Sequence, residues 1–227
     1  MQVEYVGSVG DFAKLALLRH LMEGRQLAVC WYLTNANGHA ADRDKHFEYL
    51  NRPEEFRHFA PEIFDHCKAL ATSDRDGPDP ITTVQISGLL RNAFFHRSEV
   101  PRQATLRGQW VEELAKAVNG ADLVFLDPDV GIEGQRLTSR HVALLEIAAL
   151  RRQNRALIIS HRQSGRRDEV KFLAGRMRQV GCDRMELVRF RLVSSRFYVI
   201  CDHDEVLSER LAAFVRKWGG RVRSYPL

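Results

Sequence analysis

The sequence DLVFLDPDVGIE at residues 122–133 gives the strongest indication of the fold. Four consecutive apolar residues within it predict a strand that is buried on both faces, as strands of a parallel sheet are. Pro128 cannot donate to a sheet ladder, so the strand should end there. Asp127 and Asp129 are therefore expected at the carboxyl end of a central strand, which is where open α/β sheets bind their ligands. The alternative is a strand end whose aspartates cap the next helix or face solvent.

Size and composition indicate a single α/β domain over residues 1–227. The chain is 44% hydrophobic and 28% charged, which is an ordinary globular mixture. No apolar run approaches the ~18 residues that a membrane span needs, and the first residues do not resemble a signal peptide. The four cysteines lie far apart without a CxxC pair, which argues against a zinc site and for a reducing compartment. We therefore expect a cytoplasmic protein without membrane contact or bound metal, and its oligomeric state stays open.

The positive charge of the chain is concentrated in one region. The net charge is +5, and residues 151–196 hold 13 Lys and Arg against 4 Asp and Glu, so that the rest of the chain is net negative. A basic face on an otherwise acidic body suits a polyanion such as nucleic acid. A solvated, arginine-rich helix surface is the alternative interpretation.

Alternating strand and helix patterns indicate a sheet. Apolar runs at 27–33 and 156–160 predict two further buried strands, with amphipathic helices between the strands. Segments 185–193 and 196–201 predict an antiparallel hairpin near the carboxyl end. The pattern as a whole predicts a doubly wound, mostly parallel, Rossmann-like α/β sheet.

The remaining segments are assigned from local patterns. Residues from about 40 to 80 predict a helical insertion after the first strand, and residues 82–86 predict a strand. Residues 94–96, two phenylalanines and a histidine, are expected to be buried. Residues 139–152 predict a helix whose inward positions include Leu145.

The amino-terminal segment contains a lysine in an unusual position. Asp11 is suited to cap a helix that begins at Phe12. Lys14 then falls in the first turn, where a cation opposes the helix macrodipole. That position is unfavourable unless an anion lies nearby, so Lys14 is a candidate ligand-binding residue. A surface lysine is the alternative.

Two predicted strand ends add further candidates. Thr34, Asn35 and Gly38 belong to a loop of small polar residues after the first strand, where a doubly wound sheet can hold a nucleoside or its ribose. The loop lacks the GxGxxG pattern, and a plain turn is the alternative. His161 and Arg162 end the strand that begins at residue 156 and are candidate substrate-binding residues. A structural histidine is the alternative for the first of these.

In their order, these pieces resemble the S-adenosylmethionine (SAM)-dependent methyltransferase fold. They resemble the ribosomal RNA adenine-N6 methyltransferases of the RlmJ type and, more distantly, the three-Cys-motif partner proteins. Those proteins begin with a tyrosine, a small-residue loop and an Asp-x-x-Lys helix, and similar places are held here by Tyr5, Gly7, Gly10, Asp11 and Lys14. Their acidic strand end is Asp-Pro-Pro-Tyr, where this chain has Asp-Pro-Asp-Val. The sequence looks closer still to an uncharacterised bacterial and phage-borne group with an Asp-Pro-Asp-x-Gly-Ile/Leu-Glu strand end.

The resemblance implies a cofactor and a substrate. It implies that SAM is bound by Tyr5, Gly7, Asp11, Lys14, Thr34, Asn35 and Gly38. It implies that Asp127, Pro128 and Asp129 form the catalytic motif, that Asp127 accepts hydrogen bonds from a target amino group, and that the basic region binds nucleic acid. Val130 cannot stack on a flipped base and Asp129 adds a negative charge, so the target atom stays open.

Two other functions remain open at this point. In one, Asp127, Asp129 and Glu133 hold Mg²⁺, with help from His161 or Lys14, in a nuclease or a nucleotide- or base-modifying enzyme. In the other, the chain is a non-catalytic, nucleic-acid-binding relative that kept the fold.

Overall fold

The computed structural model of the chain describes residues 5–34, 43–72, 79–192 and 195–227. Its α-helices are α1 (Val9–Leu21), α2 (Arg43–Phe47), α3 (Pro53–Phe56), α4 (Pro61–Thr72), α5 (Pro80–Ile86), α6 (Ala104–Ala117), α7 (Leu144–Leu150), α8 (Glu169–Gln179) and α9 (Glu205–Trp218). Its strands are β1 (Leu27–Leu33), β2 (Ala93–Glu99), β3 (Leu123–Asp127), β4 (Gly131–Ile132), β5 (His141–Val142), β6 (Ala156–Arg162), β7 (Met185–Phe190), β8 (Arg196–Cys201) and β9 (Val222–Pro226). No helix in these ranges is long and apolar enough to cross a membrane.

In the described part of the chain, seven strands form one sheet in the order β2-β1-β3-β6-β8-β7-β9. The first four in this order run parallel. β8 is antiparallel to both β6 and β7, and β9 is antiparallel to β7. β7 and β8 thus form the antiparallel hairpin expected near the carboxyl end. The sheet is mixed rather than mostly parallel, because β8 inserts between β6 and β7 and the unpredicted edge strand β9 adds another antiparallel pair.

The sheet is covered by helices on both faces, as in a doubly wound fold. On β3, Leu123 and Phe125 pack with residues of α1, α4 and α9. Their neighbours Val124 and Leu126 pack with residues of α6, α7 and α8 on the other face. Because successive side chains of a strand point to opposite faces, a strand buried on both sides must be apolar throughout. This explains why an unbroken apolar run marks the centre of the sheet.

The segment predicted to be a strand at residues 82–86 is helical. The Asp79 carboxylate accepts a hydrogen bond from the Thr82 backbone N–H at 3.2 Å, and Pro80 occupies the first turn. An N-cap followed by proline is a strong helix start that outweighs the β-branched residues. The strand that follows is β2, at the edge of the sheet, and its Phe94 is 48% exposed rather than buried.

The helix predicted over residues 139–152 is shorter than expected. Residues 141 and 142 form β5, which pairs with β4 beside the main sheet, and the helix begins only at Leu144. The Glu146 carboxylate accepts a hydrogen bond from the Ala143 N–H at 3.0 Å and so fixes this start. Leu145 is 83% exposed and not inward-facing.

Helix α1 begins three residues earlier than predicted, at Val9. Ser8 is the N-cap, and its hydroxyl accepts a hydrogen bond from the Asp11 N–H at 3.4 Å. The Asp11 carboxylate in turn accepts from the N–H of Gly7, the residue before the N-cap, at 3.1 Å, so Ser8 and Asp11 together fix the start of the helix. Asp11 therefore supports the cap but is not the N-cap residue. Lys14 lies one turn later on the same face of the helix.

The topology places a crevice between β1 and β3. From β1 the chain passes through α2 to α5 on one face and reaches β2 on one side of β1. It then returns through α6 on the other face and enters β3 on the opposite side of β1. This is a topological switch point, where open α/β sheets bind ligands at the carboxyl ends of their strands.

Candidate functional site

A pocket opens at the carboxyl ends of these central strands. Its walls come from the start of α1, from the strand end at residues 127–129, and from arginines of later segments. The lining residues are Tyr5, Ser8, Gly10, Asp11, Lys14, His46, Asp127, Pro128, Asp129, Arg140, Arg162, Arg196 and Tyr198. The predicted acidic strand end and the predicted lysine therefore meet in one site, although they lie far apart in the sequence.

Lys14 and Asp127 form a buried ion pair at the base of this pocket. The Lys14 Nζ atom lies 2.9 Å from Asp127 Oδ2 and 2.6 Å from Asp11 Oδ1. Lys14 and Asp127 are each only 5% exposed. An isolated charge at this depth costs several kcal/mol of desolvation, so each group depends on the other. The alternative interpretation of Lys14 as a surface residue is therefore wrong.

The neighbours of this pair fix its protonation state. Burial alone would lower the pKa of Lys14, but the Asp11 and Asp127 carboxylates outweigh burial and raise this pKa above its ordinary value. Burial alone would raise the pKa of Asp127, but Lys14 and then Arg196 outweigh it and hold this pKa below its ordinary value. Both members of the pair are therefore charged at neutral pH.

Asp129 links the carboxyl ends of β1 and β3 across the switch point. Its Oδ2 atom accepts a hydrogen bond from the Thr34 hydroxyl at 3.1 Å, just beyond the end of β1. The same oxygen lies 3.5 Å from the Arg140 Nε atom. Asp129 is 8% exposed. The second aspartate is thus held by its neighbours and is not a solvated strand end or a helix cap.

Three arginines give the pocket a mixed electrostatic character. Arg140, Arg162 and Arg196 line it together with Lys14 and with the carboxylates of residues 11, 127 and 129. The Arg196 Nη1 atom donates to the Ser160 hydroxyl at 3.0 Å, which orients this side chain. A pocket with both signs of charge suits a zwitterionic ligand or one with a phosphate and an amino group.

Gly7 serves the packing of the amino-terminal segment and is not part of the pocket lining. Its φ is +85°, and a Cβ there would lie 3.2 Å from the backbone oxygen of Cys67. Its carbonyl oxygen accepts a hydrogen bond from the Tyr49 hydroxyl at 2.8 Å. Tyr5 does line the pocket. Asn35 and Gly38, assigned to the cofactor by resemblance, lie outside the described residues.

His161 sits beneath the pocket rather than on its surface. It is 3% exposed, its Nδ1 atom accepts from the Ile132 N–H at 3.1 Å, and its Nε2 atom lies 3.1 Å from a Glu169 carboxylate oxygen. Burial lowers the pKa of His161, and Glu169 only partly opposes this. A Cβ on Gly131 would overlap the imidazole ring. His161 thus supports the turn after the acidic strand end, and its substrate-binding role stays a prediction.

The arrangement gives no support to the predicted magnesium site. Asp127 is paired with Lys14. Glu133 accepts a hydrogen bond from the Leu144 N–H at 3.1 Å and lies 3.2 Å from the Arg176 Nη2 atom. Within the described ranges, no group of three or more His, Cys, Asp or Glu residues could hold a metal ion.

The basic region at residues 151–196 is not one continuous face. β6 runs through it, and at ~3.3 Å per residue the two ends of this strand lie roughly 20 Å apart. Arg151 pairs with Asp202 near the amino end of β6. Arg155, also at the amino end, is buried under backbone carbonyls. Only the arginines at the carboxyl end reach the pocket. Sequence proximity placed these residues together, but the strand separates them.

Sequence reasoning missed two of the pocket arginines. Arg140 precedes β5, a strand of two residues that has no periodic signal. Arg196 begins β8 and lies opposite Arg162 in the antiparallel register with β6. That register follows only when the hairpin is known to insert beside β6. The sequence pattern predicts the hairpin, but it does not predict which strand of the sheet the hairpin pairs with.

The described part of the site fits the amino-acid portion of SAM. This portion carries a carboxylate, an ammonium group and a sulfonium centre. Arg162 and Arg196 supply guanidinium donors for a carboxylate. Asp127 and Asp129 supply negative charge for the two cationic groups. The loop after Thr34, which the resemblance assigns to the rest of the cofactor, lies largely outside the described residues.

No protein-family model matches this sequence, and no curated protein matches it. One solved structure to which the chain is similar is the crystal structure of human methyltransferase-like protein 13 in complex with SAH, S-adenosylhomocysteine. The identity is 14%, the TM-score is 0.36, and the similarity covers 91% of this chain and 89% of that chain. SAH is a ligand of that protein, and a similarity this distant fixes neither cofactor nor substrate here.

Proposed function

We propose that this chain is a SAM-dependent methyltransferase that acts on nucleic acid. The observation that carries the proposal is the buried Lys14–Asp127 ion pair in the switch-point pocket. Burying two charged groups to 5% exposure costs desolvation free energy. Apolar residues at these two positions would stabilise a packed core equally well. An ion pair kept in a ligand crevice is best explained by a ligand that uses it.

The residues of the pocket serve both the cofactor and the acceptor. SAM, when bound, supplies a methyl group that is carried on a sulfonium. Asp127, held ionised by Lys14, can accept a hydrogen bond from an acceptor amino group and so orient the lone pair of its nitrogen. A hydrogen bond from Thr34 to Asp129 joins the ends of β1 and β3 at the crevice. Catalysis of this kind depends on positioning far more than on proton transfer.

The charges around the pocket support nucleic acid as the proposed acceptor. Arg140, Arg162 and Arg196 surround the acidic strand end. Guanidinium groups bind phosphate oxygens in a bidentate manner. A base must leave its helix to reach a recessed carboxylate, and unpaired strands spare that cost. The residue after Asp129 is Val130, which provides no stacking ring, so the proposal extends to an amino group without naming the base.

Transfer of a labelled methyl group tests this function. Purified protein is incubated with methyl-labelled SAM and unmodified RNA or DNA, and label in the nucleic acid is counted. Asp127→Asn removes one of the two carboxylates that neutralise Lys14, together with the proposed acceptor for the target amino group, and should abolish transfer. Asp122→Asn is the matched control, because Asp122 precedes the same strand at its other end, where its carboxylate accepts the backbone N–H of Gln26.

Three outcomes of the transfer assay support or reject the proposed function. Transfer by the wild type and by Asp122→Asn, with none by folded Asp127→Asn, supports the proposal. Full transfer by Asp127→Asn rejects the role given to that carboxylate. No transfer to any nucleic acid, together with no binding of SAM, rejects the function and leaves a non-catalytic relative of the fold.

A further inference from the structure

A second concavity lies next to the pocket and is strongly basic. Its charged and aromatic lining residues are Lys45, Tyr49, Arg52, Phe56, Arg191 and Arg221. We refer to these six residues as the basic crevice. Among the described residues that line it, none carries a negative charge. Tyr49 and Phe56 are buried, at 2% and 3% exposure, so they form a rigid apolar wall.

The arginines of the basic crevice are held in place before any ligand arrives. The Arg221 guanidinium lies 4.3 Å from the centre of the Phe56 ring, and that of Arg52 lies 5.3 Å from it. Glu55 lies beside both, 3.0 Å from Arg221 Nη2 and 3.5 Å from Arg52 Nη1. Each guanidinium has five N–H donors, so one carboxylate leaves most of them available. Planar donors fixed against an aromatic ring suit a phosphate.

The basic crevice and the pocket have lining residues that are neighbours along two elements. Val9 lines the crevice, while its neighbours Ser8 and Gly10 line the pocket. Lys45 lines the crevice, while the next residue, His46, lines the pocket. The two concavities therefore share a wall made by the start of α1 and by α2. A ligand that fills both must extend from one to the other, which favours a polymer with regularly spaced anions.

We propose that the basic crevice binds a backbone phosphate of a single-stranded nucleic acid whose target nucleotide occupies the pocket. This inference rests on the proposed function and assigns the path of its substrate. A phosphate contact of this kind positions the strand without reading its sequence. Arg52 and Arg191 are both exposed and line the crevice, so they provide the test.

The experiment measures strand binding as a function of salt. Fluorescence anisotropy reports the affinity of labelled single-stranded RNA and DNA oligonucleotides of mixed sequence for the wild type and for a double variant, Arg52→Ala with Arg191→Ala. Arg178→Ala is the control, because Arg178 is an exposed arginine of α8, which packs on the opposite face of the sheet. The slope of log affinity against log salt should fall by about 0.7 for each phosphate that the variant no longer neutralises.

The result expected is a weaker affinity and a shallower slope for the double variant alone, with circular dichroism unchanged. Equal slopes for the double variant, the control and the wild type would overturn the inference. Loss of binding to vesicles of anionic lipid, with strand binding intact, would overturn it in favour of a membrane surface.

A calorimetric titration of SAH into the same variants separates this inference from the proposed function. Unchanged SAH binding with a shallower strand slope supports both. A shallower slope without SAH binding by any form rejects the methyltransferase and keeps the crevice as a phosphate site. SAH binding with equal slopes keeps the methyltransferase and rejects the crevice.

Discussion

The two ends of strand β6 use arginine in opposite ways. At the amino end, Arg155 is 3% exposed and donates to the carbonyl oxygens of Ala121, Leu150, Val118 and Asn119. At the carboxyl end, Arg162 lines the pocket and Arg196 lies opposite it on β8. The first arginine closes loops that connect helices to strands, whereas the other two face a ligand crevice. A count of charges treats all three alike, and only their position along the strand tells them apart.

The position of an arginine along the strand thus determines whether its guanidinium group can contact a ligand. Guanidinium groups that are saturated by carbonyls contribute to stability and offer nothing to a polyanion. Those at the carboxyl rim keep donors for a ligand. A cation buried at the same rim, Lys14, belongs to both classes, because it neutralises two carboxylates and lines the pocket. Substitutions at each end of the sheet test this contrast.

The largest effect is expected from Lys14→Met. The change removes the buried cation that Asp11 and Asp127 share, so the free energy of unfolding should fall by about 3–5 kcal/mol. Urea unfolding measures it. Arg19→Met on the same helix removes only a surface pair with Glu62 and should cost at most about 1 kcal/mol. Equal losses for the two variants would show that the ion pair of the pocket is not buried as described.

The next effect contrasts the two ends of β6 directly. Arg155→Met leaves several buried carbonyls unpaired, and the free energy of unfolding should fall by about 2–3 kcal/mol while the folded protein binds SAH as the wild type does. Arg162→Ala at the other end should leave stability near the wild-type value and weaken SAH or strand binding. Unfolding curves and calorimetry on both variants measure the contrast. If Arg162→Ala proved the more destabilising of the two, the division between the ends would be wrong.

A smaller effect concerns the turn after the acidic strand end. Gly131 has a φ of +132°, and an added Cβ would overlap the His161 ring, so Gly131→Ala should cost about 1–3 kcal/mol from strain alone and more from the overlap. Gly24→Ala is the control before β1, since Gly24 has a φ of +67° and nothing within 4 Å of such a Cβ. Thermal melting measures both. A Gly131→Ala protein as stable as Gly24→Ala would show that the turn does not pack on His161.

The smallest effect is a dependence on pH. Burial holds the pKa of His161 below its ordinary value, so the unfolded chain binds a proton more readily there than the folded chain does. The contribution of His161 to stability is therefore complete above the unfolded pKa of about 6.5 and is lost as pH falls from there towards the lower folded pKa. NMR of the imidazole protons follows the titration. A His161 ring that titrates at or above 6.5 would contradict its buried, neutral state.

Much of the sheet could be predicted because its strands are buried on both faces. β1, β3, β6 and the hairpin of β7 and β8 stand out as apolar or alternating runs. β9 could not be predicted, since this edge strand carries an arginine, a serine and a proline. The helix α5 was misassigned because its β-branched residues favour a strand, and the N-cap at Asp79 decides against them.

The sequence predicts two parts of the site separately, but it does not predict that they are in contact. An acidic strand end and a lysine in the first turn of a helix each indicate a ligand on general grounds. That Lys14 pairs with Asp127 depends on how α1 packs against the sheet, and the two residues are 113 positions apart. Arg140 and Arg196 line the pocket, but no local sequence pattern predicts which elements lie next to their segments in the fold. Long-range packing thus decided what local patterns could not.

The proposed function depends on SAM binding in the pocket around the Lys14–Asp127 pair, and calorimetric titration of SAH is the decisive measurement. The wild type and Asp122→Asn should each bind one SAH with the same affinity, whereas Asp127→Asn should bind it far more weakly while remaining folded. Absence of heat from the wild type, or equal affinity in all three proteins, would contradict SAM binding at this site.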